Sequence, residues 1–183
     1  MKKCGTQMLQ TQRLILRRFV PEDAQAMFQN WASDPEVTKY LTWPAHDCLD
    51  TSKKVLADWI PLYEDGAYFN WAICPKETNR PIGAISVVRL DEEVEAAEIG
   101  YCIGRRFWGR GMVPEALKAV MDYLFDEAGL GRVAACHDAN NPKSGRVMEK
   151  AGMIKEGVLR QSAKNNQGIC DAVWYAALKS DRP

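Results

Sequence analysis

Residues 98–112, Glu-Ile-Gly-Tyr-Cys-Ile-Gly-Arg-Arg-Phe-Trp-Gly-Arg-Gly-Met, gather the groups of this chain best suited to hold an anion. An apolar strand ends at Ile103, arginines follow, and Gly109 and Gly111 lead straight into an amphipathic stretch. Glycine lets backbone N–H groups approach a ligand, and a helix N-terminus favours negative charge. Flanking guanidiniums add mobile positive charge to those fixed dipoles. The spacing Arg106-x-x-Gly109-x-Gly111 therefore points to a phosphate-binding turn. It is not a P-loop, which needs Gly-Lys-Ser/Thr where Met112-Val113 stands. Nor is it a dinucleotide fingerprint, whose third glycine falls on Pro114. A glycine pair alone also serves merely to close a strand–helix unit.

A second group lies at Asn141-Pro-Lys-Ser144, followed by Arg146 and Glu149-Lys150-Ala-Gly152. Asn141 at the N-cap and Ser144 one turn inside put an amide and a hydroxyl at another helix start. Taken singly, a plain cap, a first-turn serine and a lysine complementing a helix C-terminus account for the same residues. Both helix starts follow strands, so they can sit side by side at one end of a sheet.

The elements that must position these groups are legible in hydrophobic spacing. Arg13–Arg17 reads as a strand covered on both faces, and Pro21-Glu-Asp23 opens a helix. Asp34-Pro35 starts a short helical piece. Asp47 to about Tyr63 reads as one long helix, reached through a loop from Tyr40 to His46. Residues 69–74, 82–90 and 98–103 are strands. After Gly111, Val113, Ala116, Leu117, Val120, Met121, Leu124 and Phe125 keep an i, i+3, i+4 pattern until Gly129 and Gly131 stop the helix. A strand from Arg132 to Cys136, a helix to Gly152, and strands 153–161 and 169–178 complete the chain. The last two flank the turn Asn165-Asn166-Gln167-Gly168. The order predicts a single α/β (α+β) domain over 1–183, with about residues 1–12 as an N-terminal extension leading into the first strand.

Composition narrows the partners. The chain has 183 residues, 46% hydrophobic and 26% charged, with 24 Lys plus Arg against 24 Asp plus Glu. No global field draws it to nucleic acid or a membrane surface, so phosphate recognition must be local. Six cysteines without a CxxC pair exclude the usual zinc spacing, and no metal site is expected. No apolar run reads as a signal peptide or membrane span, which places the chain in the cytoplasm with free thiols.

In their order and spacing these motifs resemble the GNAT superfamily of N-acetyltransferases, in the branch that acetylates ribosomal-protein N-termini at alanine or serine. The resemblance rests on Arg106-x-x-Gly109-x-Gly111, Trp108-Gly109 with Glu115-Ala116, Glu98-Ile-Gly-Tyr101, Asn141-x-x-Ser144 with Glu149-Lys150-x-Gly152, Arg13-Leu-Ile-Leu-Arg17 and Gly168-x-x-Asp171. It covers nearly the whole chain. It implies a mixed, mostly antiparallel twisted sheet of about seven strands, splayed between strands four and five, with helices on both faces. Acetyl-CoA is the implied co-substrate. Backbone N–H groups of Trp108, Gly109, Arg110, Gly111 and Met112, with Arg106, would hold its pyrophosphate. Strand-edge groups of Tyr101, Cys102 and Ile103 would pair with the pantetheine arm. Asn141 would bind the same arm, and Lys150 the adenosine phosphate. Cys102 and Cys136 read as packing residues, since the family transfers acetyl directly.

Direct transfer needs a neutral amine, a polarised thioester and a proton for the departing thiolate. Glu98 is the base candidate, and a solvated strand-end carboxylate is the competing reading. The Ile103 N–H could polarise the carbonyl. Ser144 is the acid candidate, with Tyr101 as its rival. Tyr40, Trp43, Tyr68, Phe69 and Trp71 fall where the family builds its acceptor cleft, although scattered aromatics also build cores. The expected acceptor is a protein or peptide N-terminal amine. The alternatives are a small amine such as an aminoglycoside or polyamine, and a non-catalytic acyl-CoA sensor. A homodimer fits the branch.

Overall fold

Along Leu14–Arg17 (β2), Leu14 and Leu16 are fully buried while Ile15 packs against the opposite layer, so both faces of the strand are covered. In the computed structural model, which describes residues 1–182, β2 sits in an eight-stranded sheet. The other strands are β1 (Leu9–Gln10), β3 (Asn70–Pro75), β4 (Gly83–Asp91), β5 (Ala96–Ile103), β6 (Arg132–Asp138), β7 (Ile154–Asn165) and β8 (Gly168–Leu178). Their order is β1-β2-β3-β4-β5-β6-β8-β7, and only the β5–β6 pairing is parallel. The two-residue β1 brings the expected seven strands to eight, so the fourth and fifth of the sequence reading are β5 and β6.

One face of the sheet carries α4 (Met112–Asp126) and α5 (Pro142–Lys150). All seven apolar α4 residues of the sequence pattern are buried, against Leu14, Leu16, Ile85 and Ile99. Each fully buried Leu or Phe contributes about 1.5–3 kcal/mol of hydrophobic stabilisation. Gly129, at φ +76°, takes the left-handed conformation that ends such a helix. The other face carries α1 (Ala24–Met27), α2 (Pro35–Thr38) and α3 (Leu49–Trp59), packed around Phe19, Met27, Trp31, Leu56 and Tyr63. The long helix expected from Asp47 to Tyr63 ends as α3 and continues as a 3-10 turn, Ile60–Glu64, where Pro61 lacks the N–H an α-helix needs.

The first helix tightens and then widens. A 3-10 turn (Pro21–Asp23) precedes α1, and a π-helical turn (Phe28–Ala32) follows it. The π turn carries Asn30 to the end of β5, where its carbonyl lies so close to Gly104 that a Cβ there would collide with it. The N-terminal segment is tied down: the Lys2 N–H donates to Ala128 O at 2.7 Å, and the Tyr123 hydroxyl to Gly5 O at 2.7 Å.

β5 and β6 pair at only three positions, Ala96–Arg132, Ala97–Val133 and Glu98–Ala134. β5 then runs on to Ile103 against β4, and β6 to Asp138 against β8, without pairing to each other. This is the expected splay, and it opens at Glu98. Among the described residues, no helix is long and apolar enough to cross a membrane.

Candidate active site

At the end of β5 the chain makes a 3-10 turn (Arg105–Phe107) and enters α4 through Gly109 and Gly111, at φ +74° and +72°. Left-handed glycines on both sides of Arg110, at a helix N-terminus, are the backbone geometry that can turn successive N–H groups toward one anion, a candidate nest. A Cβ on Gly109 would meet no atom within 4 Å, so the space beside the nest is open, as phosphate binding requires.

The nest is latched from behind by residues the motif reading did not join. Glu115, in the first turn of α4, accepts from the Thr11 hydroxyl at 2.5 Å, the Arg13 N–H at 2.9 Å and Arg13 Nε at 2.7 Å. Arg13 Nη1 also donates to Arg110 O at 2.9 Å. Burial opposes the charge on Glu115, yet the Thr11 and Arg13 donors together hold its carboxyl below the usual carboxylate range. Arg13 and Glu115 lie 102 residues apart, so no local pattern announces the pair.

Arg106 and Arg110 lie against the Phe107 ring, with guanidinium carbons 5.2 and 5.7 Å from its centroid. Arg106 donates to Asn30 Oδ1 on the π turn. Trp108 Nε1 donates to Ile103 O at 2.9 Å, and Lys143 Nζ lies 5.5 Å from the Trp108 ring centroid, linking the starts of α4 and α5. Lys143 was not singled out in the sequence. Met112 begins α4. Lys150 sits at the opposite end of α5 from Asn141 and lines a shallow groove of about 310 Å³ with Thr11, Pro114, Glu115 and Lys118.

The strand-edge groups divide by alternation. The Gly104 N–H donates to Ile82 O at 2.8 Å, so the main-chain groups of Cys102 face β4 as well. Those of Tyr101 and Ile103 face the split, and Ile103 O already accepts from Trp108. Asn141 does not cap α5 through its side chain; its φ of −114° and ψ of 62° carry no such bond. The amide is therefore not spent on capping, contrary to the plain-cap reading.

The side chains around the split form two pairs on opposite faces. Ile99 and Ile103 belong to the core beneath α4 and α5, and Tyr101 packs against it, whereas Cys102 packs toward α1–α3, the face shared by Glu98. On the first face, Tyr101 Oη lies 2.9 Å from both the carbonyl oxygen and the hydroxyl of Ser144. The two rival acids thus touch each other. Burial pushes the Tyr101 phenol up, so it stays protonated. On the other face, the Cys136 thiol donates to Glu98 Oε1 at 3.7 Å. Burial, then the adjacent Glu98 carboxylate, pushes Cys136 up to about 12, and burial pushes Cys102 up to about 12. Such thiols are poor nucleophiles, which supports a packing role.

The loop after α2 lies over the same face of the sheet, where Trp43 packs with the α1–α3 cluster. Asn166, in the β7–β8 turn, donates through its side chain to Thr38 O at 2.8 Å and Trp43 O at 2.7 Å, and through its N–H to Leu41 O at 3.1 Å. Asn165 donates to Asp138 Oδ2 at 2.7 Å, joining the same turn to the end of β6. His46 packs on Trp43 and bonds Ser52 Oγ at 2.7 Å through Nδ1; burial lowers its pKa. Of the five expected cleft aromatics, Phe69 and Trp71 are core residues stacked near Tyr123, and Tyr68 accepts from the Asn70 amide. Tyr40 and Trp43 remain at the loop. Among the described residues, no group of three or more His, Cys, Asp or Glu could hold a metal ion.

Known proteins carry the same framework. The acetyltransferase (GNAT) domain pattern matches residues 13–154. The uncharacterized N-acetyltransferase p20 of Bacillus licheniformis is 34% identical over 173 residues, covering 94% of this chain and 97% of that protein. The ribosomal-protein-serine acetyltransferase of Escherichia coli is 29% identical over 139 residues, covering 75% and 76%. The crystal structure of a GNAT-family acetyltransferase from Bacillus anthracis superposes with a TM-score of 0.83 at 26% identity, covering 95% of this chain and 99% of that one. The chain belongs to the GNAT family, and it is an acetyl-CoA-dependent N-acetyltransferase.

Proposed function

We propose that the acceptor is the N-terminal amine of a protein or peptide, acetylated in the cytoplasm by direct transfer. The carrying observation is the split at Glu98: a carboxylate on the face toward the loop after α2, and the Ser144 hydroxyl on the face of the two helix starts. Glu98 takes the proton of an amine entering from the loop side. Ser144 donates to the sulfur that departs on the other side. The nest at Trp108–Met112 and Arg106 hold the pyrophosphate; the split-facing groups of Tyr101 and Ile103, with the Asn141 amide, hold the pantetheine arm. Lys150, at the far end of α5, is assigned to the adenosine phosphate. The similarity to the ribosomal-protein-serine acetyltransferase supports the choice of acceptor.

The test is mass spectrometry of peptides beginning with Ser or Ala, peptides with a blocked N-terminus and a free lysine, an aminoglycoside and a polyamine, each incubated with acetyl-CoA. Acetylation confined to free N-termini is expected. Acetylation of the small amines alone would overturn this acceptor. Glu98→Gln should depress turnover most at neutral pH, where the amine is mostly protonated, and recover partly as pH rises.

A further inference from the structure

We propose that Tyr101 is a positioning residue for Ser144, keeping that hydroxyl aimed to donate to the departing sulfur of CoA. The inference rests on the reading that Ser144 faces the sulfur.

Tyr101 lies three residues beyond the last β5–β6 pair, and its side chain crosses to the first turn of α5. One oxygen, Oη, meets two atoms of one residue: the Ser144 carbonyl and the Ser144 hydroxyl, each at 2.9 Å. A carbonyl can only accept, and a phenol has one proton. In one arrangement the Tyr101 proton goes to the carbonyl and Ser144 donates to Oη. In the other the Tyr101 proton goes to Ser144 Oγ, and the Ser144 proton is free for a third group. Rotation of two hydroxyls exchanges them without moving a heavy atom. A sulfur gathering negative charge favours the second, because a donor that is itself accepting a hydrogen bond is a stronger donor. Burial keeps the phenol protonated throughout.

Without the phenol, a serine within a helix turns its hydroxyl back onto a carbonyl three or four residues earlier. Asn141 O stands there, already accepting from the Ser144 N–H at 3.0 Å. Tyr101 therefore decides where the Ser144 proton points. A tyrosine that only packed beneath α5 could be replaced by phenylalanine with no change in where that proton points.

The test needs no acceptor. The thiolate absorbance of bound CoA is titrated against pH in the wild-type protein, Tyr101→Phe, Ser144→Ala and the double variant. Ser144→Ala and Tyr101→Phe are each expected to raise the midpoint by about half a pH unit, the scale of one hydrogen bond. The double variant should match Ser144→Ala alone. Site-specific 3-fluorotyrosine at position 101 keeps the packing, strengthens the donor and should lower the midpoint. A Tyr101→Phe midpoint equal to wild type, or an equal shift in the Ser144→Ala background, overturns the proposal. Failure of Ser144→Ala to shift the midpoint, or of the wild type to bind CoA, overturns the parent reading and this one together.

Discussion

The two halves of this site are held by different physics. The turn proposed to receive the donor is made of main-chain N–H groups and rides on α4, whose inner face is buried along its whole length. Its position follows from packing and from one ion pair behind it. The proposed acceptor mouth is a loop and a hairpin turn, joined by hydrogen bonds from Asn165 and Asn166. A rigid half suits a ligand that never changes. A half tied by side chains can be redrawn for new acceptors without disturbing the first.

If the halves are separable, substitutions should sort cleanly. The largest effect belongs at the seam: Ser144→Ala should lower kcat about a hundredfold, the scale of one positioned proton donor, with the CoA Kd unchanged. A raised Kd would mean that Ser144 belongs to the donor half. Next, Gly109→Val should weaken acetyl-CoA binding about tenfold or more in calorimetry, since a side chain at φ +74° is strained and obstructs approach to the nest. The acceptor KM should not move. Asn166→Ala should do the reverse, raising the KM of a peptide acceptor about three- to tenfold through two lost hydrogen bonds while CoA affinity holds. Equal losses on both sides would erase the distinction.

The smallest effect concerns the latch. Glu115 has a carboxyl lowered by folding, so its contribution is complete above the ordinary carboxylate range and fades as pH falls through the lowered value. Acetyl-CoA affinity should accordingly drop a few-fold on acidification, on the scale of a partly exposed ion pair, and Glu115→Gln should flatten that slope.

The elements proposed to hold the donor were legible in the sequence because their devices are local: glycines two apart, a helix pattern immediately after, and an asparagine–proline start on the second helix. The strands and helices follow the same logic, which missed the two-residue β1, the 3-10 and π turns flanking α1, the change of helix type at Pro61 and the extension of β7 to Asn165. The proposed acceptor half was not legible, because the Asn166 ties that hold its loop run between residues more than 100 positions apart, to Thr38 and Trp43. Aromatic content misled for a related reason. Phe69 and Trp71 sit on a strand and its approach, where either face is possible, and packing against Tyr123 from the distant α4 turned both inward.

The short pairing between β5 and β6 makes the sheet two half-sheets basted together by three stitches. A pantetheine arm laid along the open part of that seam adds backbone partners where the protein has none, as an extra strand would. Donor occupancy and the cohesion of the two half-sheets then share one equilibrium. CoA should raise the melting temperature with its concentration, and amides flanking the seam, from Ile99 to Ile103 and from Ala135 to Asp138, should gain the most protection from hydrogen exchange.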